Sequence, residues 1–156
     1  MISPATVEIR PARPDDAIRL AELRWEFRSG RAAPAEERGA FLARCAAWMA
    51  EELDSGRWRA WVAVADAQIV GQVWLHTIQK VPNPVGERNR HAYVSNLYVT
   101  PSARGSVGTE LLRAALAHAA SHGVDRVIRW PSARSRSLYE RHGFRSNGDV
   151  LELTCQ

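Results

Sequence analysis

The chain has 156 residues, a formal net charge of +4 and 46% hydrophobic residues, enough for one domain, residues 1–156, that buries about 68–70% of the surface of its unfolded chain. Its longest apolar run, Ala60 to Ala65, falls far short of the ~20 residues of a membrane span, and Met1-Ile2-Ser3-Pro4 carries no basic-then-apolar leader pattern. Cys45 and Cys155 stand alone without metal-ligand spacing, so the expectation is a cytoplasmic protein with no metal.

The charge is unevenly spread. Residues 101–156 hold eight arginines against five acidic residues. That excess suits a polyanionic ligand, although Lys80 is the only lysine and an arginine-rich solvated surface would read the same way.

In chain order, Val7 to Arg10 alternates as a strand, and Pro14-Asp15-Asp16 begins a helix with Asp15 as N-cap. Ile18, Ala21 and Trp25, with Phe27 beside them, make one helical face that ends at Ser29-Gly30. Phe41, Leu42, Cys45, Trp48, Met49 and Leu53 recur at steps of three and four, predicting a second helix over Ala35 to Leu53 that stops near Gly56. Trp58 to Ala65 and Ile69 to Ile78 are rich in tryptophan and β-branched residues and flank a tight turn at Asp66-Ala67-Gln68, which predicts an antiparallel hairpin. A long loop, Val81 to Arg90, precedes a strand over His91 to Val99; loops of that length between strands are often functional. The helix Val107 to His122 follows, with a stripe of Leu111, Leu112, Ala115, Leu116 and Ala119. Strand Val124 to Trp130 comes next, and strand, helix and strand in that order predict parallel pairing across a right-handed crossover. Pro131 lacks an N–H and should end the pairing. Ser132 is placed to N-cap a last helix, Ala133 to His142, before a closing strand at Val150 to Thr154.

The segment Ala92 to Leu112, AYVSNLYVTPSARGSVGTELL, carries the chemistry. A strand runs through a proline turn and a glycine-bearing basic loop into a helix. Backbone N–H groups at such a helix start face outward, and the peptide dipoles place roughly half a positive charge there. No Gly-Lys-Ser/Thr follows the loop, and the three-glycine dinucleotide spacing is missing.

Val99-Thr100-Pro101-Ser102-Ala103-Arg104-Gly105, followed by Val107-Gly108 and Leu111-Leu112, resembles the pyrophosphate loop of the GCN5-related N-acetyltransferases, the GNAT superfamily. Ser132 to Phe144, SARSRSLYERHGF, resembles that family's second signature, a short helix ending in Tyr ahead of Gly-Phe. The likeness runs from about Trp58 to the C-terminus and is weak before it. Where the family loop reads Arg-Gly-x-Gly-Val-Gly, this chain reads Arg104-Gly105-Ser106-Val107-Gly108. Either one residue is missing and an amide is withdrawn from the phosphates, or Ser106 takes the middle glycine's place at positive φ, a strain of about 1–3 kcal/mol.

The resemblance implies an α/β (α+β) fold: a mixed sheet of about six to seven strands with helices on both faces. It also implies that His91 to Val99 and Val124 to Trp130 splay apart where the donor's pantetheine arm lies. It implies acetyl-CoA as co-substrate, bound by backbone groups at a strand bulge near Leu97, Tyr98 and Val99. The loop and helix start supply Arg104, Gly105, Ser106, Val107, Gly108 and Thr109, and Ser132 and Ser135 stand on the second signature. Tyr139 matches the family's tyrosine, and a phenol with a pKa near 10 stays protonated at neutral pH and can donate to a leaving thiolate. The base that deprotonates the amine is left open among Glu26, His91 and water. The acceptor would be the primary amine of a small molecule or peptide, in a pocket made by the Ser29 to Ala40 and Val81 to Arg90 loops.

A non-catalytic acyl-CoA-binding module is the alternative. Nucleic-acid binding, suggested by the basic pI, fits poorly because most of the six tryptophans fall at core-like positions. The family is commonly dimeric, and a final strand at Val150 to Thr154 could pair across a homodimer interface.

Overall fold

In the computed structural model, which describes residues 6–155, five strands form one mixed sheet in the order β1 (Val7–Pro11), β2 (Trp58–Ala65), β3 (Gln68–Gln79), β4 (Arg90–Val99) and β5 (Val124–Ile128). The first four are antiparallel neighbours, and β5 joins β4 in parallel. The β2–β3 turn is tight because Asp66 and Ala67 both take positive φ, 50° and 62°, the geometry of a two-residue hairpin.

Alternation along the strands divides the core in two. Ala60, Val62 and Trp74 pack with Ala17, Leu20, Ala21 and Met49 of α1 (Ala17–Ser29) and α2 (Arg38–Ser55). Trp61, Ala63, Val73, Leu75, Ala92 and Val94 face Leu111, Leu112 and Ala115 of α3 (Val107–Ser121), with Tyr139 of α4 (Arg136–Arg141) in the same cluster. One polar relay crosses the first layer: the Gln72 amide donates to the Leu20 carbonyl at 3.0 Å, and the Trp74 indole donates to Gln72 Oε1 at 2.8 Å. Gln72 is fully buried, and its paired amide meets the requirement that buried polar groups find partners.

Among the described residues the sheet holds five strands, not six or seven. Val150 to Thr154 does not form the closing strand, and Leu151 and Leu153 are exposed at 95% and 86%. Its alternating pattern meets the local rule for a strand, but among the described residues it pairs with no strand. β5 ends at Ile128, two residues short of the expected Trp130. The first helix starts one residue later than expected, with Asp16 at its N-cap position but no side-chain cap bond. A short 3-10 turn, Pro14–Asp16, intervenes, and Asp16 rather than Asp15 accepts the Arg13 N–H at 2.8 Å and pairs with Arg10. Among the described residues no helix is long and apolar enough to cross a membrane.

Gly71 fixes how closely α3 approaches the sheet. A Cβ there would lie 3.1 Å from Leu111 Cδ1, 3.1 Å from the Tyr98 carbonyl and 3.2 Å from Val99 Cγ2. Gly71→Ala is expected to cost about 1–3 kcal/mol through overpacking, measured by urea unfolding. Gly108→Ala, whose Cβ would sit 3.9 Å from Val99 Cγ2, is the matched control and should hold or gain stability.

Candidate functional site

β4 carries a bulge. Gln72 pairs with Tyr98 and Trp74 with Ser95, so Val73 alone faces both Asn96 and Leu97. Asn96 takes φ 55°, a left-handed conformation that asparagine tolerates better than most residues. The extra residue resets the alternation. Ala92 and Val94 face α3 before the bulge, and Leu97 and Val99 face it afterwards. Tyr98 turns to the other layer and stacks on Phe27 at 5.1 Å.

The same strand loses its outer neighbour. Pairing with β5 ends at Tyr93 opposite Ile128, while β4 continues to Val99. The Thr100 N–H donates to Val70 of β3 at 2.8 Å. Because backbone groups alternate sides along a strand, the N–H groups of Val99 and Leu97 point away from β3, across the edge that β5 has left. That of Tyr98 turns toward β3.

Past Val99, a 3-10 turn at Pro101–Ala103 leads to Gly105, whose φ of 138° is open only to glycine, and to Ser106 at φ −77°. Ser106 is therefore free of the strain that a positive φ would bring. The first helical bond of α3 runs from the Glu110 N–H to the Ser106 carbonyl at 3.0 Å. The amides of Ser106, Val107, Gly108 and Thr109 precede it and have no carbonyl four residues back within the helix. Gly105 has nothing within 4 Å of where a Cβ would be. Arg104 is exposed, with its Nε directed at the Val99 carbonyl at 3.4 Å. Open amides, a clear glycine and a free strand edge fit a phosphate-bearing thioester donor.

Tyr139 is buried in the α3-side core, edge-on to Phe144 at 5.3 Å. Burial pushes its phenol above the ordinary value, and nearby Arg129 partly offsets the rise. Arg129 takes over where β5 ends. Its Nη1 donates to the Val94 carbonyl at 3.3 Å, and its guanidinium carbon sits 5.3 Å from the Tyr139 ring centroid. Its Nε is buried without a partner among the described residues. Ser132 does not cap α4 itself. Its Oγ accepts the Ser135 N–H at 3.2 Å and bonds Ser135 Oγ at 2.9 Å, closing the turn ahead of the helix, which begins at Arg136.

On the opposite face a cavity of about 420 Å³ is walled by Trp48, Trp58, Trp74 and Tyr93, with Arg24, Cys45, Ser95 and Asn96 among its other lining residues. Arg24 Nη1 donates to Asn96 Oδ1 at 3.3 Å, joining the cavity to the bulge. Burial pushes the Cys45 thiol above its ordinary value, which disfavours the thiolate. A smaller hollow of about 230 Å³ lies under the Ser29 to Ala40 loop. The Val81 to Arg90 loop lines neither. Glu26 is exposed and pairs with Arg19 at 3.8 Å; His91 sits at the far end of β4, 3.4 Å from Asp125. Neither reaches the large cavity. Arg24, Trp58 and Tyr93 were missed because each reads locally as an ordinary helix or strand residue, and only the packing of α1 and α2 on β2–β4 brings them together.

The family model described as "Acetyltransferase (GNAT) family" matches residues 17–144. None of the curated proteins matches this sequence. Among solved structures, a GCN5-related N-acetyltransferase from Ralstonia eutropha JMP134 is similar at TM-score 0.79 and 23% identity, covering 96% of this chain and 99% of that one. A predicted acetyltransferase from Clostridium acetobutylicum, solved with acetyl-CoA, is similar at TM-score 0.79 and 21% identity, covering 96% of each chain. Glucosamine-6-phosphate N-acetyltransferase from Arabidopsis thaliana is similar at TM-score 0.71 and 18% identity, covering 97% of this chain and 99% of that one.

The bulge itself is testable. Asn96→Ala should cost about 1–2 kcal/mol in chemical unfolding, since alanine adopts the left-handed region with more strain and the Arg24 contact is lost. Asn96→Gly should recover part of that loss.

Proposed function

The chain belongs to the GNAT family of acetyltransferases, and from that premise we propose that it is an acetyl-CoA-dependent N-acetyltransferase acting on the primary amine of a small molecule or peptide. The observation that carries this reading is the geometry of β4. Its free edge beyond Tyr93 and the open amides of α3 lie on one side, and its bulge residue Asn96 lines a cavity on the other.

Acetyl-CoA, when bound, supplies the activated acetyl group, whose transfer to an amine forms an amide and releases the CoA thiol. The α3 amides from Ser106 to Thr109 and the loop at Arg104 and Gly105 hold the pyrophosphate, with the helix dipole adding to the attraction. The N–H groups of Leu97 and Val99 are the donors for the developing oxyanion, an interaction worth about 3–4 kcal/mol when well aimed. Tyr139 holds its proton through burial and serves as general acid to the leaving thiolate. Ser132 and Ser135 brace the turn that presents α4.

No carboxylate or histidine lines the cavity among the described residues. We therefore assign deprotonation of the acceptor to water. The same observation favours the alternative, an acyl-CoA-binding module without turnover, and assays separate the two.

Acetyl-CoA at about 100 times its Kd should stabilise the fold by about 2.7 kcal/mol against thermal unfolding, with little effect from ATP; no shift at millimolar acetyl-CoA would contradict donor binding. Tyr139→Phe should lower kcat by about a hundredfold or more while donor binding persists. Unchanged kcat would remove Tyr139 from the mechanism, and binding without acetylation of any amine would favour the module. With water as base, kcat/KM should climb with pH as the acceptor loses its proton. Because the Tyr139 phenol lies above its ordinary value, no fall should appear below about pH 10.

A further inference from the structure

The large cavity combines two features that pull in one direction. Its wall is aromatic and continuous: Trp48 lies 5.9 Å from Trp58 and 5.8 Å from Trp74, and Trp58 lies 6.1 Å from Tyr93, centroid to centroid. Its charged groups are two arginines with no acidic residue between them. Arg44 is occupied, ion-paired with Glu36 and set over the Phe41 ring. Arg24 is not. It is half-buried, and among the described residues no carboxylate lies within salt-bridge distance of it.

Among the described residues, the one side-chain acceptor that Arg24 meets is the neutral Asn96 amide oxygen. Burial, with Arg28 and then Arg129 nearby, holds the Arg24 guanidinium below its ordinary value. A half-buried cation facing a cavity, flanked by like charge and lacking a counter-ion, is under-satisfied. A guanidinium has five donors in a planar fork that matches a carboxylate two-pronged, and Arg24 commits one of its terminal nitrogens to Asn96.

Resting on the acetyltransferase reading, we infer that the acceptor is an amino acid or similar amino-carboxylate with an aromatic or bulky apolar side chain, its carboxylate on Arg24 and its side chain against Trp48, Trp58 and Tyr93. The placement is coherent with the reaction. Arg24 touches the bulge residue, so a carboxylate there holds the neighbouring amine near the edge of β4 where the acetyl group arrives. Polycationic acceptors are disfavoured for the converse reason: the cavity offers them two guanidiniums and no carboxylate. A single ammonium can still meet the aromatic faces, but it leaves Arg24 unpaired. A phosphate would need more donors than one partly committed fork provides.

Binding is read without turnover from the cavity's own tryptophans. Fluorescence titrations of the protein, alone and with saturating CoA, compare L-phenylalanine, phenethylamine and spermidine. L-Phenylalanine is expected to bind about ten- to a hundredfold more tightly than phenethylamine, the range of a charge-assisted hydrogen-bonded pair, and spermidine most weakly. Arg24→Gln should bring the ratio of the first two toward unity, and Arg24→Lys should leave an intermediate ratio. Equal binding of L-phenylalanine and phenethylamine, a preference for spermidine, or no binding of L-phenylalanine would overturn the inference. The wild-type ratio needs no variant, so a poorly folding Arg24→Gln does not spare the proposal. Carboxylate-dependent binding with no acetyl transfer would sink the enzyme reading and leave standing only the carboxylate site on Arg24. Acetylation of phenethylamine as efficiently as of L-phenylalanine would do the reverse.

Discussion

One extra residue in β4 governs the layout of the site. With Asn96 in a left-handed conformation opposite Val73, Leu97 and Val99 turn into the α3 core and Tyr98 swings onto Phe27. Without the bulge a single register would run to the end of the strand, and Leu97 would point into the α1–α2 layer. The bulge thus brings the start of α3 and the aromatic cavity against opposite faces of the same few residues. Gly71, tolerating the close approach of Leu111 and the Tyr98 carbonyl, lets α3 settle on this stretch.

The second constraint is the early end of β5. Parallel pairing stops at Ile128, and Pro131 three residues on has no N–H with which to resume a ladder. Arg129 occupies the junction, its guanidinium shared between the Val94 carbonyl and the face of Tyr139. Charge follows the same geometry. Arg24 and Arg129 feel each other's field, and Arg104 stands at the loop, so positive potential lines the region where, on our proposal, an anionic donor and an anionic acceptor meet. A site of this sign would attract both ligands.

Much of the architecture was legible from periodicity. The hairpin turn at Asp66-Ala67, the α3 stripe and the strand–helix–strand crossover are local or short-range patterns, and the structure carries all three. The closing strand was misread because alternation at Val150 to Thr154 states a local preference, whereas a strand needs a partner edge. Asp16 rather than Asp15 stands at the helix start, its carboxylate turned back to the Arg13 N–H and to the Arg10 guanidinium of β1, a contact six residues apart that no cap rule includes. The glycine-bearing loop was visible because glycine and arginine ahead of a helix start stand out in sequence. The cavity was not, since Arg24, Trp48, Trp58 and Tyr93 come from four elements, and a buried arginine without a carboxylate is indistinguishable in sequence from a solvated one.

The most direct test of the central claim, that the free edge of β4 and the start of α3 form one donor site, is a crystal structure of the protein with CoA. The expected result is the pyrophosphate on the amides of Ser106 to Thr109 and the pantetheine arm along β4 between Val94 and Val99, with the Asn96 bulge retained. CoA seated elsewhere, or a β4 edge closed by β5 with the bulge lost, would contradict it.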